Sequence, residues 1–166
     1  VVHRLDMETS GAVLFAKNPF ILPILNRLLE DKMIQRQYWA LTEGKFQTKK
    51  TVYKDKIGRD RHDRRKRVVD PRKGQSAYTT VTRLKTFEGA SLVNCQLKTG
   101  RTHQIRVHLS HHGHAILGDP LYSHQPASRL MLHAHSLSFT HPLTLEKVTV
   151  KVKSESFEQV LRNHKS

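Results

Sequence analysis

Residues 100–110 read Gly-Arg-Thr-His-Gln-Ile-Arg-Val-His-Leu-Ser, and the structure of this stretch decides how the chain folds. Polar and apolar residues alternate here, which favours a strand. The apolar members are Ile105, Val107 and Leu109. A helix is the alternative, because Thr102 can cap its N-terminus and Gly113 can end it. One face of that helix would carry His103, Arg106 and Ser110. Periodicity alone favours the strand.

The segments on either side predict a mixture of strands and helices. Strands are predicted from β-branched or alternating apolar residues at 11–17, 38–42, 77–87, 91–98, 133–139 and 147–152. The third and fourth of these are expected to pair around Glu88-Gly89. A helix is predicted from the N-cap Asn18, followed by Pro19, to residue 32, because leucines recur there at helical spacing. A second helix is predicted over residues 157–164.

The composition indicates one basic domain. The chain has 166 residues, with 29 Lys and Arg against 14 Asp and Glu, a net charge of +15 and a pI near 10.3. Such a surface favours a polyanionic partner. Nucleic acid fits better than a membrane, because the sequence has neither a long basic amphipathic helix nor an apolar run of spanning length. A single cysteine, Cys95, excludes an internal disulfide, so we expect a reduced, cytoplasmic compartment.

Residues 44–75 are rich in charge and poor in large apolar groups, which predicts an exposed loop or hairpin. A dense basic run inside this segment predicts contacts with nucleic-acid phosphates. Its members are Arg59, Arg61, Arg64, Arg65, Lys66 and Arg67. The alternative for this run is a solvated surface loop that binds nothing.

Near the start of the sequence, residues 3–11 read His-Arg-Leu-Asp-Met-Glu-Thr-Ser-Gly and place a carboxylate, Asp6, before a small polar turn. Thr9, Ser10 and Gly11 can fix that turn through hydroxyl and backbone hydrogen bonds. Such a loop can aim an ionised carboxylate outward as a catalytic group. A role for Asp6 as a simple turn cap is the alternative that the residues alone leave open.

Residues 3–11 and residues 100–109 together resemble two motifs of the RluA/RluD family of RNA pseudouridine synthases. Three further segments resemble family motifs in the same order, namely residues 36–40 (Arg-Gln-Tyr-Trp-Ala), 113–122 and 132–142. The resemblance covers nearly the whole chain. It implies an α+β fold with a mixed, mainly antiparallel β-sheet and flanking helices. It also places the stretch after residue 103 on a helix, against the strand that periodicity favours.

The resemblance implies roles for four residues in particular. Asp6 would be the nucleophile, and Arg106 would pair with it. Tyr38 would pack against the target base, while Arg4 would fill the space left by the flipped nucleotide. The implied reaction is the isomerisation of uridine to pseudouridine in ribosomal or transfer RNA, without a cofactor.

Other polar residues receive smaller roles. Arg101 and His103 are expected to contact RNA, and orientation of the neighbouring arginine is the alternative for His103. Histidines cluster at residues 111–114 and 133–135, but the lone cysteine lies elsewhere, so no metal site is expected. The tripeptide Gly118-Asp119-Pro120 is expected to be a structural turn.

We expect residues 1–166 to be the catalytic domain of a monomeric, metal-free enzyme that acts on RNA. Full family members carry sheet strands before the aspartate motif, and many carry a small RNA-binding domain. Both are expected to be absent from these residues. The rival expectation is a catalytically silent RNA-binding module, which would not need Asp6, Tyr38 and Arg106 together.

Overall fold

The computed structural model describes all 166 residues and has an α+β architecture. Nine strands are present: β1 (Ser10–Gly11), β2 (Gln35–Glu43), β3 (Lys50–Tyr53), β4 (Ile57–Arg59), β5 (Arg67–Val69), β6 (Thr79–Phe87), β7 (Ala90–Leu97), β8 (Leu132–Thr140) and β9 (Lys147–Lys151). Three helices accompany them: α1 (Leu22–Glu30), α2 (Gln104–His111) and α3 (Glu155–Asn163). None of these helices is long and apolar enough to cross a membrane.

One seven-stranded sheet organises the molecule, with the order β1-β8-β2-β7-β6-β3 and with β9 also paired to β8. Every pairing is antiparallel except the short parallel pair between β1 and β8. The predicted strands at 38–42, 77–87, 91–98, 133–139 and 147–152 are confirmed, as are the turn at Glu88-Gly89 and the terminal helix. The mixed, mainly antiparallel α+β fold is therefore confirmed.

Residues 57–69 form a hairpin, as predicted for residues 44–75, but the prediction is wrong for β3, which joins the main sheet beside β6, and for Phe46 and Tyr53, which are buried in the main core. Strands β4 and β5 pair outside the main sheet. The turn between them is held by Asp60, whose Oδ1 accepts hydrogen bonds from the backbone N–H groups of His62 and Asp63. At the base of the hairpin, Ile57 packs with Ala77 and with Val107 of α2 in a small buried cluster. The hairpin thus projects its charges from a base anchored to α2.

The predicted strand at 11–17 is wrong beyond its first residue. Only Ser10 and Gly11 pair with β8, opposite His133 and Ala134. The chain then leaves the sheet, Phe15 is exposed, and the apolar side chains of Ala12 and Leu14 pack on a second cluster around α1. Packing against a helix needs no strand partner, so a short apolar run alone did not distinguish the two structures.

Helix α1 begins at Leu22, three residues later than the predicted start. Asn18 does act as a cap, but for a turn, because its Oδ1 accepts from the backbone N–H groups of Phe20 and Ile21. The proline at the first turn of the helix is Pro23, whose missing N–H costs nothing there. Leu25 is the buried contact of this helix.

The arginine motif forms helix α2, so the strand that periodicity favoured is wrong and the helix implied by the resemblance is confirmed. Residues 104–109 are all buried, including three polar ones. Gln104 donates to the carbonyl of Tyr78, and His108 lies 2.8 Å from the Thr79 hydroxyl. Because buried polar groups alternate here with apolar ones, the sequence imitates the two-residue period of a strand.

The ends of α2 fit the sequence in part. Gly113 follows the helix with a φ of +82°, the conformation that favours glycine after a helix end. Thr102 does not cap the helix. The N-cap is His103, which has a left-handed backbone with φ +56° and makes no side-chain cap bond. This uncommon geometry turns the chain sharply into the helix.

The main core contains 19 buried residues from the sheet, α2, α3 and the connecting loops, and Phe157 of α3 is fully buried in it. A separate cluster of five buried residues joins α1 to β8 through Leu25 and Leu137. The site described below lies where β2, α2 and the loop before β1 meet.

Gly11 offers a test of the β1–β8 contact. A Cβ at Gly11 would lie 2.3 Å from the carbonyl oxygen of Ala134, and the residue has a φ of +130°. We expect Gly11→Ala to lower the free energy of unfolding, measured in urea, by about 2–3 kcal/mol. Gly89→Ala is the matched control, since its φ is +70° but its Cβ would meet nothing. Its expected loss is about 1 kcal/mol, and equal losses would contradict the steric argument.

Candidate active site

Asp6 lies in a loop that is fixed on both sides. The backbone N–H of Thr9 donates to the carbonyl of Asp6 at 3.0 Å, closing a turn. The hydroxyl of Ser10 lies 2.8 Å from Nδ1 of His133 and accepts from Arg129. As predicted, Thr9 and Ser10 hold the loop, but Thr9 does so only through its backbone, because its buried hydroxyl makes no hydrogen bond. The Asp6 side chain keeps 28% of its surface exposed, so its carboxylate faces an open cleft.

Arg106 pairs with Asp6, as the resemblance implies. Its Nη1 donates to Oδ2 of Asp6 at 3.1 Å across 100 residues of sequence. Helix α2 carries Arg106 with only 3% of its side chain exposed, so the contact sits at the buried end of the cleft. The other oxygen of Asp6, Oδ1, accepts no hydrogen bond from the protein.

Asp119 is the residue that sequence reasoning missed. Its fully buried carboxylate accepts two hydrogen bonds from Arg106, from Nε to Oδ2 and from Nη2 to Oδ1, both at 2.8 Å. Oδ1 also accepts from the backbone N–H of Leu121 at 3.0 Å. The expected turn at Gly118-Asp119-Pro120 is present, but its aspartate is an anchor for the guanidinium. An acid two residues after the apolar run Ala115-Ile116-Leu117 was the available signal.

These contacts set the charge state of Arg106. Burial opposes its positive charge, but the hydrogen bonds that it donates to Asp119 and then to Asp6 outweigh that effect and raise the pKa of Arg106. A bidentate carboxylate also fixes the plane of the guanidinium. Arg106 therefore offers Asp6 a permanently charged donor in one orientation.

Tyr38 lines the same inner pocket as Asp6 and Arg106, a space of about 70 Å³. It stands on β2, is only 6% exposed, and packs into the main core. Burial raises the pKa of its phenol, with Arg36 opposing and Asp6 adding to the shift. The hydroxyl therefore stays protonated at neutral pH. The three predicted catalytic residues are thus brought together.

His103 is connected to Arg67, at the start of hairpin strand β5, through Tyr122, a second residue that sequence reasoning missed. Nδ1 of His103 lies 2.8 Å from the Tyr122 hydroxyl, which also accepts from the backbone N–H of Arg67 at 2.8 Å. The guanidinium of Arg106 stands 5.3 Å from the centre of the Tyr122 ring. Burial, followed by Arg106, lowers the pKa of His103, so the imidazole is neutral.

A cleft of about 970 Å³ opens outward from this pocket. Seven Lys or Arg side chains line it against three acids, Asp6, Glu8 and Glu30. Arg4 lies exposed in the cleft, and Arg101 lines it while donating through Nε to the carbonyl of Ser76. The cleft has the positive lining that a polyanion needs.

Of the predicted basic run, only Arg65 lines the cleft, and it also pairs with Asp63 at 2.9 Å. The others stand on the hairpin outside it. The exposed members are Arg59, Arg61 and Arg64, and the partly buried ones are Lys66 and Arg67. The hairpin therefore extends the positive surface of the cleft instead of forming its floor.

One group of side chains has the spacing of metal ligands. The ligand atoms of Asp55, His111 and His112 lie within 4.8 Å of one another, and His112 already pairs with Asp55 at 2.6 Å. None of the three lines the cleft. His133 and His135 make hydrogen bonds within the sheet, to Ser10 and Asn94. The expectation of a metal-free active site remains a prediction.

Comparison with known proteins decides the family. The family described as RNA pseudouridylate synthase matches residues 1–111. The chain belongs to this family. The match includes the loop of Asp6, the strand of Tyr38 and the helix of Arg106, so the resemblance drawn from these motifs is confirmed. Pseudouridine synthases are isomerases.

Individual relatives agree with the family. The chain is 45% identical to the Bacillus subtilis protein named uncharacterized RNA pseudouridine synthase YhcT, over 90% of this chain and 51% of that protein. It is 38% identical to ribosomal large subunit pseudouridine synthase D of Neisseria meningitidis, over 90% of this chain and 43% of that protein. The chain thus spans about half the length of these synthases.

A solved structure gives the same result for the fold. Human RNA pseudouridylate synthase domain containing 1 superposes with a TM-score of 0.81 at 30% identity, over 92% of this chain and 68% of that one. The pseudouridine synthase fold is therefore confirmed for these residues.

Replacing Asp119 tests its role as the anchor of Arg106. Asp119→Asn keeps the shape but removes a fully buried charge that accepts two bonds from Arg106. We expect the free energy of unfolding in urea to fall by about 3 kcal/mol. Asp31→Asn is the control, because Asp31, at the exposed C-terminal end of α1, pairs with Arg27 at 3.7 Å. Its expected loss is about 0.5 kcal/mol or less. Similar losses in the two variants would refute the anchoring role.

Proposed function

We propose that this protein converts uridine to pseudouridine in structured RNA, with Asp6 as the nucleophile. The observation that supports it best is the Asp6–Arg106 pair at 3.1 Å, at the inner end of a positively lined cleft and beside Tyr38. The reaction needs no metal or cofactor, and residues 1–166 act as the catalytic domain, as a monomer in the cytoplasm.

The reaction exchanges one glycosidic bond for another. The bond between N1 of uracil and C1′ of ribose breaks, the base turns, and C5 bonds to C1′. C5 then loses its proton, and N1 gains one, so the product is an isomer of the substrate. A carboxylate divides this change into easier steps by forming and then releasing a covalent bond. Attack on the ribose, addition to the base and assistance of elimination all remain compatible with these residues.

The geometry around Asp6 suits such a role. Arg106 holds Oδ2, while Oδ1 is left free of protein hydrogen bonds and can approach the substrate. The guanidinium would also stabilise the carboxylate when it leaves again. Tyr38, protonated because burial raises its pKa, can stack on the uracil and move a proton through its hydroxyl.

A uracil within a stacked helix cannot reach this pocket, so we propose that the target nucleotide is flipped out. Unstacking costs a few kcal/mol. Arg4 is exposed in the cleft without an ion-pair partner, so it is free to enter the space that the base leaves. Arg101 and His103, at the start of α2, would contact the RNA next to the flipped nucleotide.

Ribosomal or transfer RNA is the proposed substrate. The names of two relatives specify the ribosomal large subunit, and a net charge of +15 suits a large polyanion. Contacts from the hairpin to phosphates would position the RNA without reading its sequence.

Asp6→Asn tests the nucleophile. The amide keeps the shape of the loop but cannot attack, so we expect the rate of tritium release from RNA labelled at uridine C5 to fall by at least about 10³-fold. RNA affinity, measured by filter binding, should change little. A transcript of Bacillus subtilis large-subunit ribosomal RNA and a pool of transfer RNA serve as substrates.

The control for this experiment is Asp31→Asn, which changes the exposed residue just after α1 and should retain full activity. Wild-type activity in Asp6→Asn would exclude the aspartate as nucleophile. RNA binding by the wild-type protein without tritium release from any RNA would favour the silent RNA-binding module.

The hairpin is tested through the salt dependence of binding. Replacing Arg59, Arg61, Arg64 and Lys66 by Gln should flatten the slope of log K against log[salt] by about 3, at about 0.7 to 0.9 per lost phosphate contact. The matched control replaces four exposed lysines elsewhere, Lys147, Lys151, Lys153 and Lys165, with little expected change in slope. Equal slopes in the two quadruple variants would remove the hairpin from the RNA interface.

A further inference from the structure

Arg36 is a partly buried cation without a protein partner. It stands on β2 and lines both the large cleft and the inner pocket. Its Nε is buried and makes no hydrogen bond, and no carboxylate lies within 4.0 Å of the guanidinium. Gly100 packs against it so closely that a Cβ there would lie 2.8 Å from Nη1. The cleft therefore holds a guanidinium in a confined position without balancing its charge.

Arg129 is a structural arginine of this fold, and its contacts differ from those of Arg36. It is also partly buried and has no carboxylate partner, but it donates to the carbonyls of Leu130 and Leu132. It also donates to three serine hydroxyls, those of Ser10, Ser154 and Ser156. Arg36 makes none of these bonds. The difference suggests that the acceptors for Arg36 come from a ligand.

The other cleft arginines are already occupied or differently placed. Arg106 is held by two carboxylates, Arg65 by Asp63, and Arg101 by the carbonyl of Ser76. Arg4 is exposed, so water solvates its charge at no cost. Arg36 alone combines partial burial with the lack of any acceptor. Burial lowers the pKa of Arg36, which marks the cost of holding the charge there.

The position of Arg36 indicates which anion it would bind. Side chains two residues apart on a strand point to the same face, so Arg36 lies beside Tyr38. His3 lines the cleft together with Arg36. Burial and then Arg36 lower the pKa of His3 to about 4, so its imidazole is neutral. A base stacked on Tyr38 would bring its own ribose phosphate towards Arg36. A planar guanidinium fork matches the oxygens of a phosphate.

We infer that Arg36 binds the phosphate attached to the ribose of the flipped uridine. The ligand of the inner pocket is then a uridine nucleotide, with base and phosphate held by neighbouring side chains of β2. This inference rests on the proposed function, because it takes a uridine in RNA as the substrate.

Binding of small ligands tests the inference without catalysis. Uridine, uridine 5′-monophosphate, uridine 3′-monophosphate and inorganic phosphate are titrated into the ¹⁵N-labelled protein, and dissociation constants are read from amide chemical shifts. We expect one of the two nucleotides to bind about tenfold or more tightly than uridine. Arg36→Gln should remove that preference and leave uridine binding unchanged. Arg27→Gln, which removes an exposed cation of α1 outside the cleft, should retain the preference.

The Tm of the free protein supplies a second test. A ligand-binding role and a structural role for Arg36 predict Tm changes of opposite sign. If Arg36 is held for a ligand, Arg36→Met should raise the Tm of the free protein, because it removes a poorly solvated charge. A structural arginine such as Arg129 should lower the Tm on the same substitution. Arg36→Lys should keep part of the nucleotide preference, since it retains the charge but loses the fork.

Two results would overturn the inference. One is equal affinity for uridine and both nucleotides, including no shift with either nucleotide at 20 mM, roughly where contacts worth a few kcal/mol would saturate. The other is an Arg36→Gln protein that keeps the preference. Failure of the proposed function gives a different pattern, namely nucleotide binding through Arg36 without tritium release from RNA. Competition by inorganic phosphate alone separates a general anion site from one that also needs the base.

Discussion

The ion pair between Arg106 and its two carboxylates is the interaction on which the rest of the site depends. Asp119 fixes the guanidinium from the buried side, and Asp6 meets it from the cleft. Three separate parts of the chain converge on one side chain: the loop before β1, helix α2 and the segment before β8. A buried cation would be costly with either carboxylate missing. The same arrangement leaves one oxygen of Asp6 free to react.

Much of the fold could be predicted from local pattern. Strands β6 and β7 alternate around a Glu-Gly turn, so their pairing could be predicted, and β8 and β9 alternate near the end of the chain, so both could be predicted as strands. The structure of residues 11–17 could not be predicted, because an apolar run has the same composition whether it pairs with a strand or packs on a helix. Periodicity wrongly predicted a strand for α2, because buried polar residues of this helix alternate with apolar ones.

The residues of the site also fall into a predicted group and a missed group. Asp6, Tyr38 and Arg106 were predicted because long motifs carry them, and their meeting at one pocket is a tertiary fact that spacing could not supply. Asp119 and Tyr122 were missed because each acts through a contact made across the fold. The unpartnered state of Arg36 could not be read from sequence either, since it depends on which acceptors the fold brings within reach. The residue types in the sequence identify candidate site residues. The folded structure determines which of their charges have a partner.

The parallel pair between β1 and β8 has a consequence for the order of assembly. Ser10 meets His133 across 123 residues, and Asp6 meets Arg106 across 100. Contacts so distant in sequence must wait until the intervening chain has been made and ordered, and they slow folding. The aspartate loop is synthesised before β8 and stays unanchored until β8 follows. The pocket around Asp6 therefore cannot take its final shape until the segment that carries β8 has been made.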